Sequence, residues 1–272
     1  MADSSWAGPP VGGAGDAAGA VAVVIPAQDD AGGIGATVRA VQGLPRVRHV
    51  IVVDDGSRDA TARHAAAAGA LVLRHPRHRG RAAALATGAD RVAQLDAAAG
   101  LPPSLLLFVD ADLGESAVHA AALVEPVRAG TADMTIAVLP PQRAGDDGHG
   151  PVARLARAGI AAATGFTATQ PLSGLRCLAP AAFGAARPLA PGWGTGTALT
   201  IDLLLAGFRV VEVPCDVRHR TGHRDAGGTV RQARDVARAL AVRRARRALP
   251  LRVLRVIGGA ARLLSRTRSG GR

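Results

Sequence analysis

Apolar runs of strand length alternate with helix-spaced segments through the first half of the chain. Residues 20–25 (AVAVVI) are uninterrupted and stop at Pro26, as in a strand buried on both faces. Ile34, Val38 and Val41 then recur at i, i+4 and i+7, which predicts a helix. The alternation repeats with a strand at 49–53 (HVIVV) and an Ala-rich helix at 59–68 closed by Gly69. A strand at 70–73, a helix from Arg81 to Ala97 and a strand at 104–109 (SLLLFV) follow. Residues 132–138 predict a fifth strand. Such alternation predicts an α/β domain built on a mostly parallel sheet flanked by helices.

Beyond residue 138 the pattern loosens. Residues 140–151 (PPQRAGDDGHGP) carry turn formers and charge without apolar spacing, and predict a mobile loop. Residues 170–178 read as a turn into a short strand, and 191–196 (PGWGTG) as a Gly-rich loop. A helix over Ala198–Ala206 capped by Gly207 and a last strand at 208–213 come next. A basic helix fills 229–247, and a second basic segment follows Pro250. Residues 1–19, rich in Gly, Ala, Ser and Pro, predict a disordered leader. The expected organisation is leader 1–19, one folded domain 20–228 and a basic helical tail 229–272.

Charge sharpens that division. The net charge is +12 over 272 residues, and all 33 basic residues are Arg. Residues 231–272 hold 13 Arg and a single acid, Asp235, whereas 1–230 hold 20 Arg and 20 acids. The body is balanced and the basic surplus sits in the tail. A nucleic-acid binder would spread basic charge over its working face, and 2% aromatics with no Tyr leaves few platforms for stacking bases. Two Cys give neither metal spacing nor a disulfide framework, and a reducing cytoplasm is the expected compartment. No apolar stretch approaches the roughly 20 residues of a membrane span, and the N-terminus has no signal-peptide pattern.

Candidate chemistry lies where strands end. Acids at 29–30, 54–55 and 110–112 each follow a strand, and open α/β sheets bind ligands at that rim. Asp110 and Asp112 stand at i and i+2, a spacing that reaches a hard cation such as Mg²⁺ or Mn²⁺ carrying phosphate oxygens. The same pair alone reads equally well as a solvated strand-end turn. In Asp54-Asp55-Gly56-Ser57, Ser57 or Asp59 can cap the next helix, and one Asp can accept bonds from a base or ribose. Gly32-Gly33-Ile34-Gly35 is a poor dinucleotide fingerprint, because Val38 stands where the last Gly belongs. Arg79-Gly80-Arg81 precedes a helix and can meet phosphate, or be a solvated turn. His219, in Arg218-His219-Arg220, is either a surface residue or a ligand completing a metal shell with Asp112.

Taken in order, these segments resemble the family-2 glycosyltransferases of GT-A fold. The likeness rests on VAVVIPAQDD (21–30), IVVDDGSRDAT (51–61), RHPRHRGRAAAL (74–85), FVDADL (108–113), QPLSGLRCL (170–178) and GFRVVEVPCDVRH (207–219). It is closest in flavour to polyprenyl-phosphate sugar transferases and glucosyl-phosphoglycerate-synthase-like enzymes. The resemblance implies transfer of a sugar from a nucleotide diphosphate, UDP in the first instance, to an unidentified acceptor with Mg²⁺ or Mn²⁺. It implies Pro26, Ala27 and Asp29 lining the nucleotide pocket, Asp55 binding the base and Arg81 near the donor phosphates. Asp110 and Asp112 become the DxD pair, with Asp112 and His219 on the metal. Ser173, Gly174, Arg176 and Trp193 become the sugar or acceptor side.

The chain also departs from the family pattern. Gln28 replaces an aromatic residue, and Gly196 and Ala198 stand where relatives carry acids. The catalytic base is therefore unassigned, with Glu115 a candidate substitute, and Asp202 is expected to be structural. Two readings of function follow. One is an enzyme that is cytoplasmic, with a lipid-phosphate or small phosphorylated acceptor and peripheral contact at the inner membrane face through 248–272. In that stretch Arg252, Arg255, Arg262 and Arg266 share one side of a helical wheel. The other is a catalytically impaired nucleotide-sugar-binding or membrane-adaptor protein.

Overall fold

A computed structural model describes residues 19–141, 150–220 and 226–248, with side chains omitted at 226–228 and 245–248. The leader 1–18, most of the 140–151 loop and the segment after Pro250 lie outside the described residues.

The chain alternates β1 (Val21–Ala27), α1 (Ile34–Gln42), β2 (Val47–Asp54), α2 (Thr61–Ala67), β3 (Leu71–Arg74), α3 (Arg81–Ala98) and β4 (Leu105–Phe108). A 3₁₀ helix (Gly114–Leu123), α4 (Val124–Arg128), β5 (Met134–Val138), α5 (Pro151–Thr164), β6 (Arg176–Leu178) and α6 (Pro180–Ala185) follow. A short 3₁₀ turn (Gly192–Gly194), α7 (Thr195–Leu205), β7 (Val210–Pro214) and α8 (Ala226–Ala248) complete it. The strands form one sheet in the order β3-β2-β1-β4-β6-β5-β7, and only β6 runs antiparallel to its neighbours.

The unbroken apolar strands have the predicted cause. Val21, Val23 and Ile25 pack into one core layer with α1 and the 114–123 helix, while Ala22 and Val24 pack into the other with α3. Pro26 does not end β1, contrary to expectation. The pairing with β4 stops at Val24–Phe108, so Pro26 lies past that partner, where a missing N–H costs no ladder bond on that side.

Three features of this sheet build a site. The order reverses at β1, between β2 and β4, so chain leaving β1, β2 and β4 diverges around a crevice. Because β6 is antiparallel, with Arg176 opposite Phe108, its entry loop 173–175 arrives at the same rim. Beyond β7 the chain also returns there: Arg220 N–H donates to Asp112 O at 3.0 Å.

The helix α8 packs on the body. Val236 is buried with Val152 and Ala156 of α5. Arg243, 5% exposed, pairs with Asp202 of α7 and donates to Ala198 O. Asp202 is structural, as expected. α5 was not anticipated, although Pro151 at its first turn and left-handed Gly165 (φ 78°) at its end are ordinary helix punctuation.

Candidate functional site

The loops after β1 and β2 are sewn together. Asp29 sits at φ 54°, a left-handed conformation uncommon outside Gly, Asn and Asp. Its N–H donates to Ser57 Oγ at 3.0 Å, and its Oδ1 accepts from Arg58 N–H at 2.8 Å. Asp30 N–H donates to Thr61 Oγ1 at 2.8 Å, and Asp59 Oδ1 accepts the Thr61 N–H at 2.9 Å. Ser57 thus braces Asp29, and the acid at the start of α2 is Asp59. Between these loops and residues 74–78 opens a cavity of about 570 Å³. Burial, reinforced by Asp112, Asp110 and Asp59 against the Gln28 N–H, pushes the Asp30 carboxyl up to about 6.

Asp55, expected to bind the base, is held by the loop before α3. It is 3% exposed, and both its oxygens are engaged by protein donors. Oδ1 faces His75 Nδ1 at 2.6 Å and accepts from Arg79 N–H at 2.9 Å. Oδ2 accepts from Gly80 N–H at 2.7 Å and faces His78 Nδ1 at 2.8 Å. Burial alone would raise this carboxyl, but the His75 bond and the Arg79 and Gly80 N–H groups outweigh it and hold it below the usual range. Gly56 makes the approach possible: at φ 81°, a β-carbon there would lie 2.7 Å from His78 N. The sequence reading missed His75 and His78, the two imidazoles that face Asp55. Their only signal was their place in His75-Pro-Arg-His78, five and two residues before Gly80 in a run that read as a basic turn.

Loop 75–80 delivers Arg81 to the first turn of α3, where unsatisfied N–H groups favour anions. Arg81 pairs with Asp110 and donates to Gly174 O at 3.0 Å. One side chain therefore ties the phosphate-loop helix, the DxD turn and the loop before β6. Gly174 has no space for more, since a β-carbon would lie 2.6 Å from Arg81 Nη2 and 2.8 Å from both Asp110 oxygens.

Asp112 and His219 meet from opposite ends of the fold. His219 Nδ1 lies 2.8 Å from Asp112 Oδ1, and its Nε2 lies 4.0 Å from Asp110 Oδ2. Burial lowers the imidazole pKa, but the Asp112 bond and the Asp110 and Asp112 charges outweigh it and raise it. Two carboxylates and an imidazole are a donor set that suits Mg²⁺ or Mn²⁺. As they stand these groups bond to one another, and among the described residues no three such groups surround a common point.

On the far side, Ser173 Oγ is buried with no hydrogen-bond partner among the described residues. Arg176, expected to face substrate, is 2% exposed and lies behind the loop. Its guanidinium donates to Ser173 O, Pro171 O and Thr200 Oγ1, and burial, with Arg81 adding, lowers it to about 9. It also fills the space over Gly196, where a β-carbon would lie 2.9 Å from Arg176 Nη2. Ala198 is buried, so neither position offers a carboxylate or room for one. Glu115 is exposed on the first turn of the 114–123 helix. Trp193 is 55% exposed, and its N–H donates to Asp235 at 3.2 Å. Pro26 and Ala27 end β1, and Ala27 O accepts the Asp55 N–H at 2.8 Å.

Comparison with known proteins agrees with this geometry. The sequence profile of glycosyl transferase family 2 matches residues 22–165. No curated protein matches. Among solved structures, glucosyl-3-phosphoglycerate synthase from Mycobacterium tuberculosis in complex with Mn²⁺, UDP and phosphoglyceric acid is 26% identical, with a TM-score of 0.67. That similarity covers 85% of this chain and 80% of that one. The same enzyme with Mn²⁺, UDP-glucose and phosphoglyceric acid gives 26% identity and a TM-score of 0.65 over 86% and 85% of the two chains. A mycobacterial protein matches at 26% identity and a TM-score of 0.67 over 85% and 76%. With the family matched over more than half its length on a GT-A sheet, the chain belongs to glycosyl transferase family 2 and is a glycosyltransferase.

Proposed function

We propose that the protein transfers a sugar from UDP to an acceptor carrying a phosphate, in a reaction that depends on Mn²⁺ or Mg²⁺. The observation that carries this reading is the Arg81–Asp110 pair beside Asp112 and His219, at the first turn of α3. UDP and Mn²⁺ bound to the mycobacterial synthase support the donor, and phosphoglyceric acid bound there supports the acceptor class. Pro26, Ala27 and Asp29 line the nucleotide pocket in this reading, and Ser173, Gly174 and Trp193 face the sugar and acceptor, backed by Arg176.

Sugar transfer builds negative charge on the departing diphosphate and positive charge at the sugar carbon. A divalent cation held by Asp112 and His219 supplies electrostatic stabilisation of that leaving group. Arg81 and the α3 N–H groups supply fixed positive charge and donors on its other side. To ligate such a cation, His219 would have to release its contact with Asp112. A phosphate acceptor is already ionised and needs little help from a base, which reconciles Gly196 and Ala198 with turnover. The same absence of carboxylates supports the second reading, a donor-binding protein without transfer. The basic segment 248–272 is proposed to contact anionic lipid, which keeps a lipid-linked phosphate among the acceptors.

The test is a panel of UDP- and GDP-sugars, scored for Mn²⁺-dependent thermal stabilisation and for release of free nucleotide. Stabilisation by a UDP-sugar together with turnover is the expected result. Stabilisation without turnover establishes the second reading, and no stabilisation by any nucleotide sugar overturns both.

A further inference from the structure

The buried face of α1 carries Ile34, Thr37, Val38 and Val41. Ile34, Val38 and Val41 pack into one core layer with β1. Thr37 is the exception, a polar side chain that is 0% exposed. A buried hydroxyl needs partners, and this one finds them across the fold. Its Oγ1 donates to Ala111 O at 2.8 Å and accepts the Gly114 N–H at 2.8 Å. The other acceptor within reach of its single proton, Gly33 O one helical turn back, is farther away at 3.2 Å.

Ala111 and Gly114 bracket Asp112. Ala111 and Leu113 are buried in the core, whereas Asp110 and Asp112 keep part of their side chains exposed. The start of α1 lies directly on this turn: a β-carbon at Gly33 would lie 3.2 Å from Asp112 Cα and 3.3 Å from Ala111 O. From outside, Asp112 O accepts the Arg220 N–H at 3.0 Å, and the Arg220 guanidinium donates to Gly32 O at 2.8 Å. The backbone of Asp112 is thus held from within by Thr37 and from without by Arg220. The inner hold rests on one hydroxyl, which valine removes while keeping the β-branch.

We propose that Thr37 is a positioning residue for the metal turn: its hydroxyl, bonded on both sides of Asp112, sets the backbone from which that carboxylate reaches a divalent cation. The inference rests on the reading that Asp112 and His219 hold the cation. Mg²⁺ demands near-ideal octahedral geometry, so its binding is sensitive to where the ligand backbone stands. Groups that orient a metal ligand without touching the metal typically cost roughly 10–100-fold in metal affinity when removed. Without the hydroxyl, the Gly114 N–H becomes a buried donor that has lost its partner, and the turn shifts to satisfy it. Thr37 is fully buried and cannot itself touch donor or cation, so nucleotide binding without metal should be spared.

The experiment uses the full chain and measures three quantities: affinity for Mn²⁺ with UDP present, affinity for UDP with chelator, and melting temperature. Thr37→Val loses the hydroxyl and keeps a methyl; Thr37→Ser keeps the hydroxyl and loses the methyl. Both should melt below the parent. Thr37→Val should weaken Mn²⁺ by roughly tenfold or more and leave metal-free UDP binding within about twofold. Thr37→Ser should keep Mn²⁺ affinity within about threefold of the parent. Unchanged Mn²⁺ affinity in Thr37→Val overturns the inference. Equal losses in Thr37→Val and Thr37→Ser also overturn it, because the methyl and not the hydroxyl would then matter. So does an equal loss of UDP binding with and without metal, which would mark a general distortion of the pocket. Should Thr37→Val fail to fold, Thr37→Cys replaces it, because a thiol is only a weak donor and acceptor. A loss of Mn²⁺ affinity of about threefold or more is then expected, and the same outcomes overturn the inference. Failure of the parent to bind Mn²⁺ with UDP instead overturns the ligand reading beneath it.

Discussion

Gly174 shows how little slack the site has. A β-carbon there would press on the Arg81 guanidinium and the Asp110 carboxylate together. Gly174→Ala should lower kcat/KM for donor at least tenfold, roughly 1.4 kcal/mol of transition-state stabilisation. Arg81 is partly exposed, so the melting temperature should barely move; a large loss of stability with unchanged turnover would show that Arg81 is only a brace. Asp30 permits a second prediction, about pH. Its carboxyl stands near 6 in the fold against an ordinary 3.8, chiefly through burial. Between those values the native state holds more protons than the unfolded chain, so this group removes stability as pH rises through the window. Asp30→Asn lacks that penalty. With chelator present it should be more stable than the parent above pH 6, by about 1 kcal/mol after allowance for solvent screening. The advantage should vanish below pH 4, and parallel melting curves at both pH values would refute the assignment. The acids themselves were legible in the sequence, because each follows an apolar run. What each acid does was not: Asp55 and Asp29 look alike in sequence, and only the three-dimensional return of His75, His78 and Gly80 onto Asp55 separates them.

Elements were legible where they alternate, and less so where the sheet changes direction. The strands up to β4 and the helices α1 to α3 lie within a few residues of their predicted places, because continuous apolar runs and 3.6-residue spacing are strong signals. The three-residue β6 lies where 170–178 read as a turn into a short strand, but its antiparallel sense was not readable, since direction is set by neighbours rather than by its own residues. The helix α8 read as the start of a basic appendage because its outward face is Arg-rich. Its inward face, with Val236, Ala239 and the stem of Arg243, is part of the body. Gly159 leaves room for this, since a β-carbon there would lie 2.3 Å from Leu240 Cδ2. The Arg243–Asp202 pair links α8 to α7, the helix that follows the turn carrying Trp193. Removing one partner of a largely buried pair leaves a charge uncompensated, so Arg243→Met should cost about 2 kcal/mol. The melting temperature should fall by roughly 4–8 °C, and amide exchange should quicken along α8 first. An unchanged melting temperature would mean that apolar packing alone seats the helix.

At the scale of the whole molecule, two charge distributions face different tasks. The body is balanced, and three of its acidic clusters, at 29–30, 54–55 and 110–112, follow strand ends. The surplus of 12 positive charges lies in 231–272. The described part of that segment already displays it: Arg231, Arg234 and Arg238 are exposed at i, i+3 and i+7 on α8, flanked by Val230 and Val242, 71% and 41% exposed. Asp235, the lone acid, accepts from Trp193 N–H. Cationic charge interspersed with apolar side chains suits an anionic lipid surface better than a nucleic acid, because the apolar groups gain by entering the interface. No helix among the described residues is long and apolar enough to cross a membrane. Six further Arg lie within 248–272, and each near an anionic bilayer contributes about 1 kcal/mol. The full chain should therefore bind phosphatidylserine-containing vesicles and ignore phosphatidylcholine ones. Binding should fall steeply as salt shortens the screening length below about 10 Å. Deleting 248–272 should weaken it at least a hundredfold while leaving the melting temperature and donor binding intact, since the packed face of α8 stays in place. Co-sedimentation of the two forms with vesicles decides the matter: retention after deletion, or indifference to salt, would assign the basic tail to some other partner.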